Sequence, residues 1–196
     1  MIDFESTVDS IDLSHIDILL FTSKQAVTVA DQISPVWKNY PCIAVGSATK
    51  EKIEALGGTV IYMPQNFYGQ ELAQDLVEHF RDQRVLYLRP QKVAFDMRAS
   101  IDTKLAFSEQ IIYRTICKRY TKQDKPPQNS VIIFTSPSTI TCFVDNFGWD
   151  ESYTAVVIGE TTQKSLPKPC KYVISEQPLI TSCIKKAKEI TENSDI

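Results

Sequence analysis

Four short stretches of this chain carry hydroxyls or glycine where an apolar run gives way to a polar one. They are Phe21-Thr22-Ser23, Gly46-Ser47-Ala48-Thr49, Phe134-Thr135-Ser136 and Gly159-Glu160-Thr161-Thr162. Each reads as the end of a buried strand and the opening of a helix. A helix N-terminus leaves four backbone N–H groups unpaired and carries partial positive charge. Ser and Thr hydroxyls add donors, so such loops suit phosphate or carboxylate groups. The same hydroxyls can equally cap their own helices. Four equivalent loops favour ligand binding over capping alone. Lys24, Lys50, Arg89, Lys92 and Lys164 stand near these loops, and Arg89 ends the run Val85-Leu86-Tyr87-Leu88-Arg89-Pro90. The expected ligand is therefore a polyanion. Tyr113, in Ile111-Ile112-Tyr113-Arg114-Thr115, could hydrogen-bond that ligand or donate a proton. It could also be a half-buried aromatic with a wet hydroxyl.

Other chemistries fit poorly. The five cysteines, Cys42, Cys117, Cys142, Cys170 and Cys183, include no C-x-x-C pair. A disulfide framework or a zinc site is not expected, and the thiols read as small buried hydrophobes. Only His15 and His79 could partner a nucleophile, and no G-x-S-x-G turn is present. Neither G-x-G-x-x-G nor a Walker A motif occurs, which weakens a dinucleotide or ATP reading. The net charge of −3 argues against nucleic acid. The N-terminal residues lack the pattern of a secretory signal, and no apolar run approaches the ~20 residues of a spanning helix. The expectation is a cytoplasmic protein with no membrane partner and no metal site.

The elements that must position these residues follow from the hydrophobic pattern. The 196 residues are 43% hydrophobic and 23% charged, a globular composition. Runs rich in Val and Ile predict strands at 16–21, 42–45, 59–63, 84–88, 110–114, 130–134, 154–158 and 171–174. Such runs suit parallel strands covered on both faces. The clearest helices are predicted at 48–56, 69–81, 161–166 and 179–190. In the second, Leu72, Leu76, Val77 and Phe80 share one face. Strand–helix alternation predicts an α/β fold. The charged, proline-containing stretch 118–128 reads as a surface loop, and 191–196 as a frayed tail.

The chain also repeats itself. Phe21-Thr22-Ser23 recurs as Phe134-Thr135-Ser136, Gly46 as Gly159, Thr49 as Thr162 and Val60 as Val173, always 113 residues on. One fixed offset over about forty residues predicts a duplication into two Rossmann-like, flavodoxin-like parallel-sheet lobes with a ligand cleft. The expected divisions are a hinge strand at 1–6, a first lobe at 7–110, a hinge strand at 111–116 and a second lobe at 117–196.

Together these residues resemble the uroporphyrinogen-III synthase family. The matching stretches, in the family's order, are Leu19–Val27, Ala44–Thr49, Val85–Pro90, Ile112–Thr115, Phe134–Ser138 and Val157–Thr162. The resemblance implies two lobes on a two-stranded hinge and a monomeric, cofactor-free lyase. It implies closure of the linear tetrapyrrole hydroxymethylbilane, with D-ring inversion through a spiro intermediate and loss of water. The substrate has eight carboxylates, and its supply implies handover from hydroxymethylbilane synthase. Tyr113 matches the tyrosine that assists departure of the hydroxyl. Thr49, Ser136 and Thr162 match residues that line the cleft and hold carboxylates. Ser23 joins them through the internal repeat. Lys24, Ser47, Arg89, Ser138 and Thr161 complete the expected substrate-binding set.

The chain departs from the family at its N-terminus, where 1–5 already matches the hinge strand. The second lobe is then expected to lack a strand and a helix, leaving an exposed edge. A late start codon, a truncation or a shortened lobe completed by a partner would each explain this, and the first is favoured. The alternative function is a two-lobed, non-catalytic cytoplasmic receptor for a small polyanion. A flavodoxin-like or receiver-like domain is a third reading, though a receiver would carry an acidic cluster where Phe21-Thr22-Ser23 stands.

Overall fold

The computed structural model describes residues 1–65, 69–93, 95–101 and 105–192. Strands and helices alternate along much of the chain. They are β1 (Ile2–Ser6), β2 (Ile18–Phe21), α1 (Lys24–Ile33), β3 (Pro41–Ala44), α2 (Ser47–Ala55), β4 (Thr59–Tyr62), α3 (Gly69–Phe80) and β5 (Arg84–Pro90). There follow β6 (Ala106–Cys117), β7 (Val131–Phe134), α4 (Pro137–Phe147), β8 (Thr154–Val157), α5 (Glu160–Gln163), β9 (Lys171–Ile174) and α6 (Ile180–Glu192). The fold is mixed α/β with mainly parallel strands. Two compact units are formed, one of Phe4–Thr115 and one of Met1–Asp3 with Ile116–Ile196. Among the described residues no helix is long and apolar enough to cross a membrane.

One sheet has six strands in the order β1-β6-β5-β2-β3-β4. β2 is parallel to both β3 and β5, with Phe21 opposite Ala44 and Leu88. The continuous apolar run of β2 is needed because both faces of the sheet are covered. Leu19 and Phe21 enter one core with Val27, Trp37 and Ile53, under α1 and α2. Ile18 and Leu20 enter the opposite core with Leu72, Leu76 and Tyr87, under α3. Each fully buried aliphatic side chain stabilises by about 1.5–3 kcal/mol. Packing is tight at Gly58, where a Cβ would lie 2.5 Å from the Trp37 ring.

The other sheet has three strands, β7-β8-β9, all parallel. Its core gathers Phe134, Phe143, Tyr153 and Leu166, with Trp149 packed against them. Phe143 meets Phe134, Trp149 and Tyr153 edge-on.

Several expectations are corrected. Cys117 and Cys142 form a disulfide, with Cα atoms 5.0 Å apart. Sequence spacing missed it because its two cysteines are 25 residues apart, at the end of β6 and within α4. Cys42 and Cys183 are buried as expected, whereas Cys170 is partly exposed. β6 runs over twelve residues rather than 110–114, because its polar half, with Ser108 and Glu109, pairs with β5. The helix expected at 161–166 is the four-residue α5, after which the chain turns towards Pro167 and a cis Lys168–Pro169 bond. Of the expected frayed tail, Thr191 and Glu192 complete α6, and 193–196 lie outside the described residues.

Candidate functional site

In the unit Phe4–Thr115 the chemistry gathers where β2 ends. Thr22 and Ser23 leave the strand towards opposite faces, continuing its alternation. The Thr22 hydroxyl lies 2.8 Å from that of Tyr87 on β5. The Ser23 hydroxyl lies 3.1 Å from that of Tyr113 on β6. Both tyrosines are buried, each 4% exposed. Burial raises both phenol pKa values, only partly countered by the hydrogen bonds to Thr22 and Ser23. Each is therefore a neutral hydroxyl at physiological pH. Ser23 also caps α1, accepting from the Ala26 N–H at 3.1 Å.

The sheet order creates a switch point here. From β2 the chain moves outward to β3 and β4, then returns to the other side of β2 as β5. Crevices outside the carboxyl ends of strands at such points are the usual ligand sites of open α/β sheets. A cavity of about 480 Å³ lies there. Thr22, Val45, Gly46 and Tyr87 contribute from the sheet side, Gly69 and Leu72 from α3, and Lys92, Phe95 and Met97 from the following segment. Gly46 has φ +87°, a left-handed conformation that favours glycine. Gly69 admits the Phe95 ring, since a Cβ there would lie 2.1 Å from it.

The remaining expected residues of this unit are distributed as follows. Lys24 opens α1 and is exposed, and Ser47 opens α2 and is exposed. Thr49, two residues further on, is buried at 4% exposure. Lys50 faces Glu54 at 3.9 Å. Arg89 does not project freely from its strand. Its Nε lies 3.3 Å from the Glu109 carboxylate, and its Nη1 donates to the Pro90 carbonyl at 3.0 Å. Glu109 of neighbouring β6 stands opposite Tyr87, a register that the sequence does not reveal.

In the other unit Ser136 caps α4, accepting from the Thr139 N–H at 3.4 Å. Its hydroxyl lies 3.0 Å from that of Ser138. Thr161 is exposed and Thr162 is buried at 3% exposure. Lys164 follows α5 and is exposed. With only four residues, α5 offers a much weaker N-terminal dipole than four equivalent loops would imply. Gly159 has φ 177°, so its extended backbone does not demand glycine as Gly46 does.

Details of the two units nevertheless correspond at the same offset of 113. Val45 N–H donates to Phe21 carbonyl, and Ile158 N–H to Phe134 carbonyl. Thr49 N–H donates to Gly46 carbonyl, and Thr162 N–H to Gly159 carbonyl. Ser23 and Ser136 are equivalent helix caps.

A family model, described as uroporphyrinogen-III synthase HemD, matches residues 3–185. The chain belongs to the uroporphyrinogen-III synthase family. Its activity is that of a cyclising hydro-lyase in tetrapyrrole biosynthesis, and the receptor-like alternative gives way to it. The fold is similar to that of uroporphyrinogen-III synthetase from Helicobacter pylori. That likeness has a TM-score of 0.76 and 24% identity, over 96% of this chain and 90% of that one. A mutant uroporphyrinogen III synthase from Thermus thermophilus is similar with a TM-score of 0.53 and 10% identity. The match covers 98% of this chain and 87% of that one. No curated protein matches the chain in sequence.

The sequence had singled out Ser23 and Tyr113, which the fold brings together. It had passed over Tyr87 and Phe95. Tyr87 carried a signal, because a polar-tipped aromatic inside a strand buried on both faces needs a partner for its hydroxyl. Phe95 carried none, since its place depends on the path of the chain after Pro90.

Proposed function

We propose that this protein closes hydroxymethylbilane to uroporphyrinogen III, inverting ring D and releasing water, in the cytoplasm as a monomer. The observation that carries the reading is the Ser23–Tyr113 hydroxyl pair at the end of β2, within the matched family region. Two duplicated lobes linked by hinge strands β1 and β6 are part of the proposal. The equivalent caps and backbone bonds at a constant offset support it. Ser23, Lys24, Ser47 and Thr49 would serve one lobe as substrate ligands, and Ser136, Ser138, Thr161 and Thr162 the other.

The chemistry required is modest. Loss of the hydroxyl from the hydroxymethyl group leaves an azafulvene-like cation. Unguided closure joins the free end of ring D to that carbon and gives the type I isomer. Type III requires attack by the substituted carbon of ring D, then opening and reclosure of a spiro intermediate. Positioning decides between these, and exclusion of the competing closure can supply the selectivity.

Tyr113 contributes a hydrogen bond to the departing hydroxyl. Burial raises its pKa, so it is a weak acid but a persistently protonated donor. Ser23 fixes the direction of that donor. Its own cap on α1 holds it in place. Handover from hydroxymethylbilane synthase would limit the free lifetime of the substrate. Isomer analysis of the product tests the reading. Predominantly type III uroporphyrinogen is expected, and only type I from folded protein would reject it.

A further inference from the structure

We infer that the cavity at the β2–β5 switch point is a subsite for one pyrrole ring bearing a carboxylate side chain, with Lys92 on the carboxylate and Phe95 against the ring. The inference rests on the proposed reaction and adds to it which part of this chain takes a single ring. The cavity lies wholly within the unit Phe4–Thr115. Its volume, about 480 Å³, suits one substituted ring and is too small for a linear chain of four. Pockets for small ligands generally occupy about 300–1,000 Å³ and combine apolar walls with a few fixed polar groups.

The walls match a flat, mostly apolar ring. Leu72 and Met97 are buried beneath, while Phe95 remains 38% exposed at the rim. An exposed aromatic over a cavity gains burial when a ring fills the space. Gly69 lets Phe95 lie this close to α3, because any side chain there would meet the ring. On the sheet side stand the paired hydroxyls of Thr22 and Tyr87, whose oxygens can accept from a pyrrole N–H. Arg89 is engaged with Glu109 and is absent from the lining, whereas Lys92 is present in it. Lys92 is exposed, so its ammonium can reach a carboxylate at the mouth without a prior burial cost. A nucleotide fits less well, because among the described residues the lining contains one cation, Lys92, and no Arg.

The test uses full-length protein labelled with ¹³C at the methionine methyls. The sequence has three methionines, Met1, Met63 and Met97, and of these only Met97 lines the cavity. The probe is a monopyrrole carrying acetate and propionate side chains. Titration should shift Met97 and leave Met1 and Met63 in place. Lys92→Gln and Phe95→Ala should each weaken that binding at least ten-fold. With hydroxymethylbilane the same variants should raise KM at least five-fold and change kcat less than three-fold. An unmoved Met97 at millimolar probe, or unchanged affinity in both variants, overturns the subsite. Its failure is distinguishable from that of the reaction: type III product from wild type with unmoved KM in both variants rejects the subsite alone. Only type I product from wild type rejects the reaction, whatever the Met97 signal does.

Discussion

Replacing Tyr113 by Phe removes one oxygen and leaves the surrounding packing intact. The ring keeps its edge contact with Phe4, with centroids 5.7 Å apart, and its place in the core under α1. The lost hydrogen bond to Ser23 would ordinarily cost about 0.5–1.5 kcal/mol of stability. Ser23 still accepts from the Ala26 N–H, so it is not stranded, and the lower half of that range is expected. The catalytic cost is larger if the hydroxyl donates to a leaving group that develops charge. Hydrogen bonds to charged groups are worth about 1.5–3 kcal/mol, or roughly a 10- to 160-fold loss of kcat. The assay is single-turnover conversion of hydroxymethylbilane at saturating protein, with isomers separated after oxidation. Thermal unfolding of the same samples monitors folding. Because burial raises the Tyr113 pKa above its ordinary value of 10.0, the wild-type rate should show no ionisation of this group between pH 7 and 9. A folded Tyr113→Phe variant with a rate within two-fold of wild type would refute its assigned role.

Four further outcomes follow from the same geometry. Ser136→Ala removes the cap of α4 and should lower stability by about 0.5–2 kcal/mol in a denaturant titration. Gly58→Ala drives a methyl against Trp37 and should cost about 1–3 kcal/mol, visible as a lower Tm. The hydrogen bonds from Arg84 hold the Asp17 carboxyl at about 2, below its ordinary 3.8. Its contribution is therefore present above pH 4 and fades as pH falls through about 2, so Asp17→Asn should flatten acid unfolding between those values. With the Cys117–Cys142 bond intact, denatured protein should titrate as three free thiols, Cys42, Cys170 and Cys183, and as five after reduction.

How much of this could be read in advance depended on whether the signal was local. The run at 16–21 announced a strand buried on both faces, because consecutive side chains from Ile18 to Phe21 are apolar, and two cores indeed receive them in alternation. Ser23 and Ser136 announced helix starts, and both are caps. The fixed spacing of Phe21 and Phe134 predicted a duplication, and backbone bonds such as Val45 N–H to Phe21 and Ile158 N–H to Phe134 recur at the same offset. What failed was long-range. The Cys117–Cys142 bond, the Arg89–Glu109 pair and the cover that Phe95 gives the cavity all depend on register or chain path. Arg89 looked like a free cation because Glu109 is twenty residues away in sequence, although β5 and β6 are adjacent. α5 looked longer because its apolar Leu166 continues the pattern beyond the helix end.

The central claim is control over which carbon of ring D attacks. Spontaneous closure runs in parallel and gives type I, so the product ratio at rising protein concentration measures that control most directly. With hydroxymethylbilane held fixed, the type III fraction should climb with protein and approach completeness when turnover outpaces spontaneous closure. A ratio that stays at the uncatalysed type I value over the whole range, in protein shown to be folded, would contradict the account.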